Sequence, residues 1–360
     1  MHTKEKRNVG IDLLRIVSMW MVVILHILGK GGVLETTNTM SLNYSVAWLL
    51  EIAAYCAVDC YALISGYVGI KSKHKASGVV SLWLQVTFYS VLITVIMSFT
   101  HGVADISDIV KSFLPVTFSQ YWYFTAYFGM WFFVPFMNAS IEQMSKKLAG
   151  FYLIAIGVVL LPVSIFMDPF LMVGGHSVIW LCYLYLIGAY VNKHDLLIKI
   201  SRNKAILMYL LCVVITFAYK VIQNFVGIPA DMLISNASPL ILAAAFSLLS
   251  IFAKIDIPSK LTKAITLLGS LSFSVYLIHT HPLVFTHIMN DKFSFLGKAN
   301  PLVLIVGVVF VAVAIFVICT AIDYIRLCLF KLIRVRKVLD LLETRVSMFL
   351  KTKLKRILGE

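Results

Sequence analysis

Residues 11–27 read IDLLRIVSMWMVVILHI, an apolar run carrying Asp12 and Arg15 near its start and His26 near its end. Arg15 and His26 stand eleven residues apart. Eleven steps of about 100° return a helix to nearly the same face, with a rise of roughly 16 Å between the two groups. A cation near one boundary of a bilayer and an imidazole deeper in then share one stripe. Ionisable side chains within hydrocarbon cost a few kcal/mol each, so such a stripe reads first as a functional one. The plainer alternatives are an Arg15 that reaches back to the headgroups, an ion pair with Asp12 three residues away, and a His26 packed against its neighbours.

The rest of the chain repeats the pattern. Of its 360 residues, 60% are hydrophobic and 13% charged, against about a quarter charged in soluble domains, and the mean hydropathy is +0.92. Apolar runs near spanning length recur at about 12–29, 45–69, 79–100, 120–137, 148–167, 176–191, 205–223, 237–253, 264–286 and 301–322. The expected fold is an all-α polytopic membrane bundle of about ten transmembrane helices. Lys4, Lys6 and Arg7 precede the first run, and with a cytoplasmic amino terminus only Lys30, Lys111, Lys292 and Lys298 fall in outer loops. This asymmetry fits the positive-inside rule with both termini cytoplasmic, and the expected location is the plasma membrane, crossed many times. The formal net charge of +14 is then topology and anionic-lipid contact, not a nucleic-acid footprint. No small-residue cleavage site follows His26, so the first run is expected to be retained. The six cysteines show neither CxxC nor metal-ligand spacing, and no metal site is expected.

The domain reading is a cytoplasmic segment 1–11, a membrane domain 12–322 and a cytoplasmic tail 323–360. In the tail, Val335, Val338, Leu339, Leu342, Val346, Phe349, Leu350 and Ile357 recur at helical spacing beside Arg334, Lys337, Arg345, Lys351 and Lys355. That is a basic amphipathic helix for the inner leaflet, with partner binding as the other reading. No outer loop exceeds about twenty residues, so any chemistry sits among the helices. His26 lies about 21 Å from the inner end of its helix and Arg15 about 5 Å. Asp59 falls near mid-membrane, Glu51 toward the outer face, and His279 at about the depth of His26, with His281 a little beyond. Buried carboxylates and imidazoles seldom stay unpaired, so His26 with Asp59 or Glu51 would be a base held in one tautomer, as hydroxyl activation requires. At the inner side, KSKHK carries Lys71, Lys73, His74 and Lys75. It is either topology-setting charge or a clamp for phosphates. Gln120, Tyr121 and Trp122 open an aromatic run at the outer interface, either a belt or a sugar-stacking surface.

These residues resemble the acyltransferase 3 family of integral-membrane acyltransferases. Arg15, ten residues and His26 match its first-span signature, and DCYALISGYV (Asp59–Val68) is similar to its aromatic-rich segment ending in Ser-Gly-aromatic, here Ser65, Gly66 and Tyr67. YWYFTAYFGMWFFVPF resembles the Trp-containing fourth segment. LSFSVYLIHTHPL resembles the late one through Ser272, Phe273, Tyr276, Leu277 and His279. Cys60 and Tyr61 stand where many relatives have two aromatics, and the basic loop uses Lys where some use Arg pairs. Some relatives carry a fused secreted esterase-like domain, and this chain is read as the form without one.

The resemblance implies O-acylation, commonly acetylation, of a hydroxyl on an extracytoplasmic carbohydrate such as capsular polysaccharide or exopolysaccharide, or its lipid-linked precursor. Cytoplasmic acetyl-CoA or another acyl-CoA is the expected co-substrate, with no tightly bound cofactor. It implies His26 as the catalytic histidine and Arg15 as a donor-site or structural partner. Lys71, Lys73 and Lys75 are then candidates for the CoA phosphates, and Gln120, Tyr121, Trp122 and Tyr276 for the acceptor. Asp59, Glu51 and His279 remain candidates beside His26. His26 is either a general base or a transient acyl carrier. The competing reading is a transporter or flippase for a lipid-linked saccharide, against which the chain lacks inverted halves and paired Gly/Pro-interrupted spans. A bundle of this kind kept as an inactive sensor or scaffold is a further alternative.

Overall fold

The computed structural model describes residues 7–39, 41–166, 168–227 and 233–358, with side chains except at 163–166 and 350–358. Lys4, Lys6 and the side chains of Leu350, Lys351, Lys355 and Ile357 lie outside what is described. Among the described residues there is no strand. The helices are α1 (Val9–Leu28), α2 (Leu42–Ala54), α3 (Ala57–Gly69), α4 (Ala76–His101), α5 (Ile106–Phe113), α6 (Trp122–Gln143), α7 (Lys146–Phe166), α8 (Val178–Lys193), α9 (Arg202–Val226), α10 (Pro239–Phe252), α11 (Ser259–His279), α12 (Pro282–Val284), α13 (Ser294–Gly297), α14 (Pro301–Leu332) and α15 (Val335–Leu358).

Each predicted span coincides with a helix. Among the described residues, six stretches are long and apolar enough to cross a membrane: Val9–Leu28, Leu42–Gly69, Ala76–His101, Arg202–Val226, Ser259–His279 and Pro301–Leu332. With 16 and 14 residues, α8 and α10 rise roughly 24 and 21 Å, short of the ~30 Å hydrocarbon core. Two spans are interrupted. The second breaks at Tyr55 and Cys56, between α2 and α3. The ninth stops at His279 rather than 286, because Pro282 opens α12 with His281 as its N-cap, and proline cannot continue the preceding helix. A π-helical turn follows at Phe285–Met289. The predicted boundary between membrane domain and tail falls inside α14, which runs on to Leu332. There Asp323 bonds Arg326 at 2.6 Å and accepts the Tyr89 hydroxyl at 2.7 Å, tying α14 to α4.

At the centre, α1 packs against α2, α3, α10, α11 and α14. The most extensive pairing is α3 with α8, and two glycines make it possible. A Cβ on Gly66 would fall 1.9 Å from the Tyr185 carbonyl oxygen, and one on Gly188 would fall 2.2 Å from that of Leu63. Small residues let helix backbones approach this closely where apolar burial supplies no drive between helices. That packing is the physical content of the Ser65-Gly66-Tyr67 segment. One end of the bundle gathers the start of α1, the α3–α4 loop, the end of α8 and the start of α15; it is called the basic end below. At the far end, Asp291 and Phe293 donate their backbone amides to Lys30 and Gly31 at 3.0 and 2.9 Å.

Candidate active site

His279 is the last residue of α11, and its Nδ1 lies 2.5 Å from the Val275 carbonyl one turn earlier. A carbonyl only accepts, so Nδ1 carries the hydrogen and Nε2 is left with a lone pair. That Nε2 is 2.8 Å from Nδ1 of His26. His26 must therefore donate from Nδ1, which leaves its own Nε2 unprotonated. No side chain among the described residues hydrogen-bonds this nitrogen. The Phe285 ring meets His26 edge-on at 5.1 Å between centroids, fixing its other flank. One backbone carbonyl thus sets the tautomer of two rings in series, and the outer ring is left as a proton acceptor.

His26 stands where two cavities join. On the far side is a space of about 510 Å³ lined by His26, Lys30, Glu35, Glu51, Trp122 and His176 among others. On the other side is an apolar gap of about 40 Å³ lined by Met19, Val22, His26, Val58, Tyr61, Trp122, Tyr123, Phe273 and Tyr276. Val22, Val58 and Trp122 border both. Toward the basic end a third cavity, about 430 Å³, is bordered by Ser65, Lys73, His74, Lys75, Tyr127, Trp131 and Arg336. Tyr61 and Ser65 on α3, and Tyr123 and Tyr127 on α6, are successive turns that line first the gap and then this cavity. The gap and the basic cavity are therefore stacked about 6 Å apart along two helices. His74 lies on Trp131 at 4.1 Å between ring centroids.

The other candidate residues divide. Asp59 is fully buried, but it accepts Trp180 Nε1 at 3.0 Å and has no bond to His26. Glu51 lines the far cavity, with Oε2 lacking a hydrogen-bond partner among the described residues. The imidazole partner of His26 is His279, and neither carboxylate takes that place. Arg15 bonds Asp12 at 2.7 Å, and Asp12 also holds Arg7 at 2.6 and 2.8 Å, the local pairing at the helix start. Arg15 shares with Lys71 a separate groove at the basic end, while Lys73 and Lys75 line the 430 Å³ cavity. The Lys71, Lys73 and Lys75 cluster is thus split between neighbouring spaces. Trp122 and Tyr276 line the gap. Gln120 instead accepts the Ser90 hydroxyl at 2.6 Å, and Tyr121 is buried against Tyr276 and His281. Because α6 begins at Trp122, Gln120 and Tyr121 lie in the non-helical approach to it, and of the three Trp122 lines the cavity.

Three contributors escape sequence reasoning. The Tyr61 hydroxyl bonds the Arg15 carbonyl at 2.9 Å and Ser272 at 2.7 Å, tying α1, α3 and α11 below the gap. His176 meets Trp122 edge-on at 4.2 Å and extends the aromatic wall. Arg336 reaches the basic cavity from α15. Of these, Tyr61 alone lies in a segment that the sequence singled out, DCYALISGYV.

The family model for the acyltransferase 3 family, described as an acyltransferase domain, matches residues 8–323. No curated protein and no solved structure matches the chain. The match takes in α1 through most of α14 and every cavity-lining residue named above except Arg336. The chain belongs to the acyltransferase 3 family and is a membrane acyltransferase.

Proposed function

We propose that the protein moves an acyl group, acetyl in the simplest case, from acyl-CoA at the basic end to a hydroxyl of a carbohydrate in the far cavity. The observation that carries this reading is the position of His26: tautomer set by His279, Nε2 unprotonated, at the junction of the far cavity and the gap. The basic end faces the cytoplasm, since the Lys and Arg excess belongs there, and the far cavity faces outward across the plasma membrane. The pantetheine arm, of the order of 15–20 Å, is comparable to the ~16 Å of helix between Arg15 and His26. CoA itself need not cross.

His26 Nε2 takes the proton of the acceptor hydroxyl as its oxygen attacks the thioester carbonyl carbon. The tetrahedral intermediate collapses with cleavage of the carbon–sulfur bond, and the departing thiolate takes the proton back from Nε2. The charge that appears on His26 during transfer strengthens its Nδ1–H bond to His279. Trp122 and His176 form the wall on which a sugar ring rests, and Glu51 offers a carboxyl oxygen to a neighbouring hydroxyl. Surface polysaccharide or its lipid-linked precursor fits such an outward cavity.

The test is to incubate membranes holding the protein with radiolabelled acetyl-CoA and to follow label into alkali-labile ester on the surface polysaccharide fraction. Ester label above empty membranes is the expected result. Saccharide movement independent of CoA, with no ester formed, would make the protein a transporter instead.

A further inference from the structure

Helix α15 lies wholly beyond the matched family region, yet it enters the basic cavity. Two hydrogen bonds latch it to the start of α4. The Ala76 amide donates to Glu343 Oε1 at 2.8 Å, and the Ser77 hydroxyl donates to Asp340 Oδ1 at 2.8 Å. The need for this latch is local: the N-cap residue of α4 is Lys75, which makes no side-chain cap bond. A helix start has unpaired amides and a positive dipole end, and here carboxylates from α15 answer both. Arg336, Asp340 and Glu343 are spaced by four and then three residues, so they share one face of α15. Val338, Leu341, Leu342 and Val346 are exposed on its other sides.

The latch holds Arg336 over the cavity that Lys73, His74 and Lys75 line. Among the described residues no carboxylate pairs with Arg336, so three cations and a stacked His74–Trp131 wall face one space of about 430 Å³. Converging cations beside a flat aromatic surface suit a nucleotide phosphate.

We propose that α15 completes the donor site: Arg336 binds a phosphate of the acyl-CoA nucleotide, and Asp340 and Glu343 are positioning residues that hold it there. This rests on the donor-site reading of the basic cavity. The same guanidinium chemistry also suits the phosphate of a lipid headgroup, and the experiment separates the two.

The full-length protein is placed in nanodiscs of phosphatidylcholine alone, and binding of CoA and of pantetheine, which lacks the nucleotide, is measured by calorimetry. Arg336→Ala weakens CoA about tenfold and leaves pantetheine unchanged, with Arg336→Lys between it and wild type. The Asp340→Ala, Glu343→Ala double variant removes both acceptors and keeps Arg336, but loses CoA affinity to a similar degree. CoA binding by Arg336→Ala equal to wild type overturns the proposal. A defect seen only when anionic lipid is added also overturns it and assigns the arginine to headgroups. A wild type that binds CoA no better than pantetheine removes the donor site itself. A wild type that prefers CoA, beside a silent Arg336→Ala, removes only the part played by α15.

Discussion

Replacing His279 by Leu takes away the acceptor 2.8 Å from His26 Nδ1 while keeping an apolar side chain of moderate size at a buried position. A buried donor left without a partner costs about 1–3 kcal/mol. At about 1.4 kcal/mol per tenfold, and with His26 free to swing or change tautomer, kcat for acetyl transfer falls about ten- to hundredfold. KM for the donor stays unchanged, because His279 lies outside the basic cavity. Gln at the same position offers an amide oxygen to His26 and an amide N–H to the Val275 carbonyl. His279→Gln therefore recovers most of the lost rate. The assay is transfer from radiolabelled acetyl-CoA to an acceptor oligosaccharide in proteoliposomes containing equal amounts of each variant. Full activity in His279→Leu refutes the tautomer argument. Equal impairment in Leu and Gln reduces His279 to a packing residue.

Three further outcomes follow from the same geometry. Gly66→Ala forces a Cβ against the Tyr185 carbonyl and costs about 1–3 kcal/mol, read as a lower thermal midpoint in detergent; an unchanged midpoint means the α3–α8 crossing is looser than described. Trp122→Ala raises KM for the saccharide up to about tenfold and leaves KM for acyl-CoA alone; a change confined to the donor places Trp122 on the wrong side of His26. Hydrogen bonding at the α4 start, from Ser77 foremost with the amides of Ala76 and Ser77, holds the Glu343 carboxyl below its usual range. Its latch is then at full strength above the ordinary carboxylate value of about 4.3 and is lost as pH falls through the lowered one. Spin labels on α15 and α4 read this as a distance that lengthens only once pH falls below the ordinary carboxylate value, and a distance that lengthens already above it contradicts the latch.

Local signals carried much of the architecture. The apolar runs marked the long helices of the bundle, although α2 and α3 were read as one run, and Arg15 and His26 both lie on α1. Pro282 was in plain view as a helix stop, although the ninth run was read through it. Pairings between helices were out of reach, because nothing local encodes them: His279 lies 253 residues from His26, and Trp180 lies 121 from Asp59. Titratable groups at one depth were expected to meet, His26 with Asp59 or Glu51, and the structure pairs His26 with His279 instead, because depth alone does not say which faces turn together. Gln120, Tyr121 and Trp122 have one composition and three directions, fixed only once α6 is known to begin at Trp122. The pattern of α15 was legible as amphipathic, whereas its seat on α4 follows from a capping demand that Lys75 leaves unmet.

The most direct measurement concerns His26 itself. Proteoliposomes supplied with labelled acetyl-CoA on the basic side and acceptor saccharide on the opposite side are compared for wild type, His26→Ala and His26→Gln at matched insertion. The account predicts labelled ester on the far-side saccharide with wild type and a loss of at least about a hundredfold in both variants. Ester formed at the wild-type rate by either variant contradicts it.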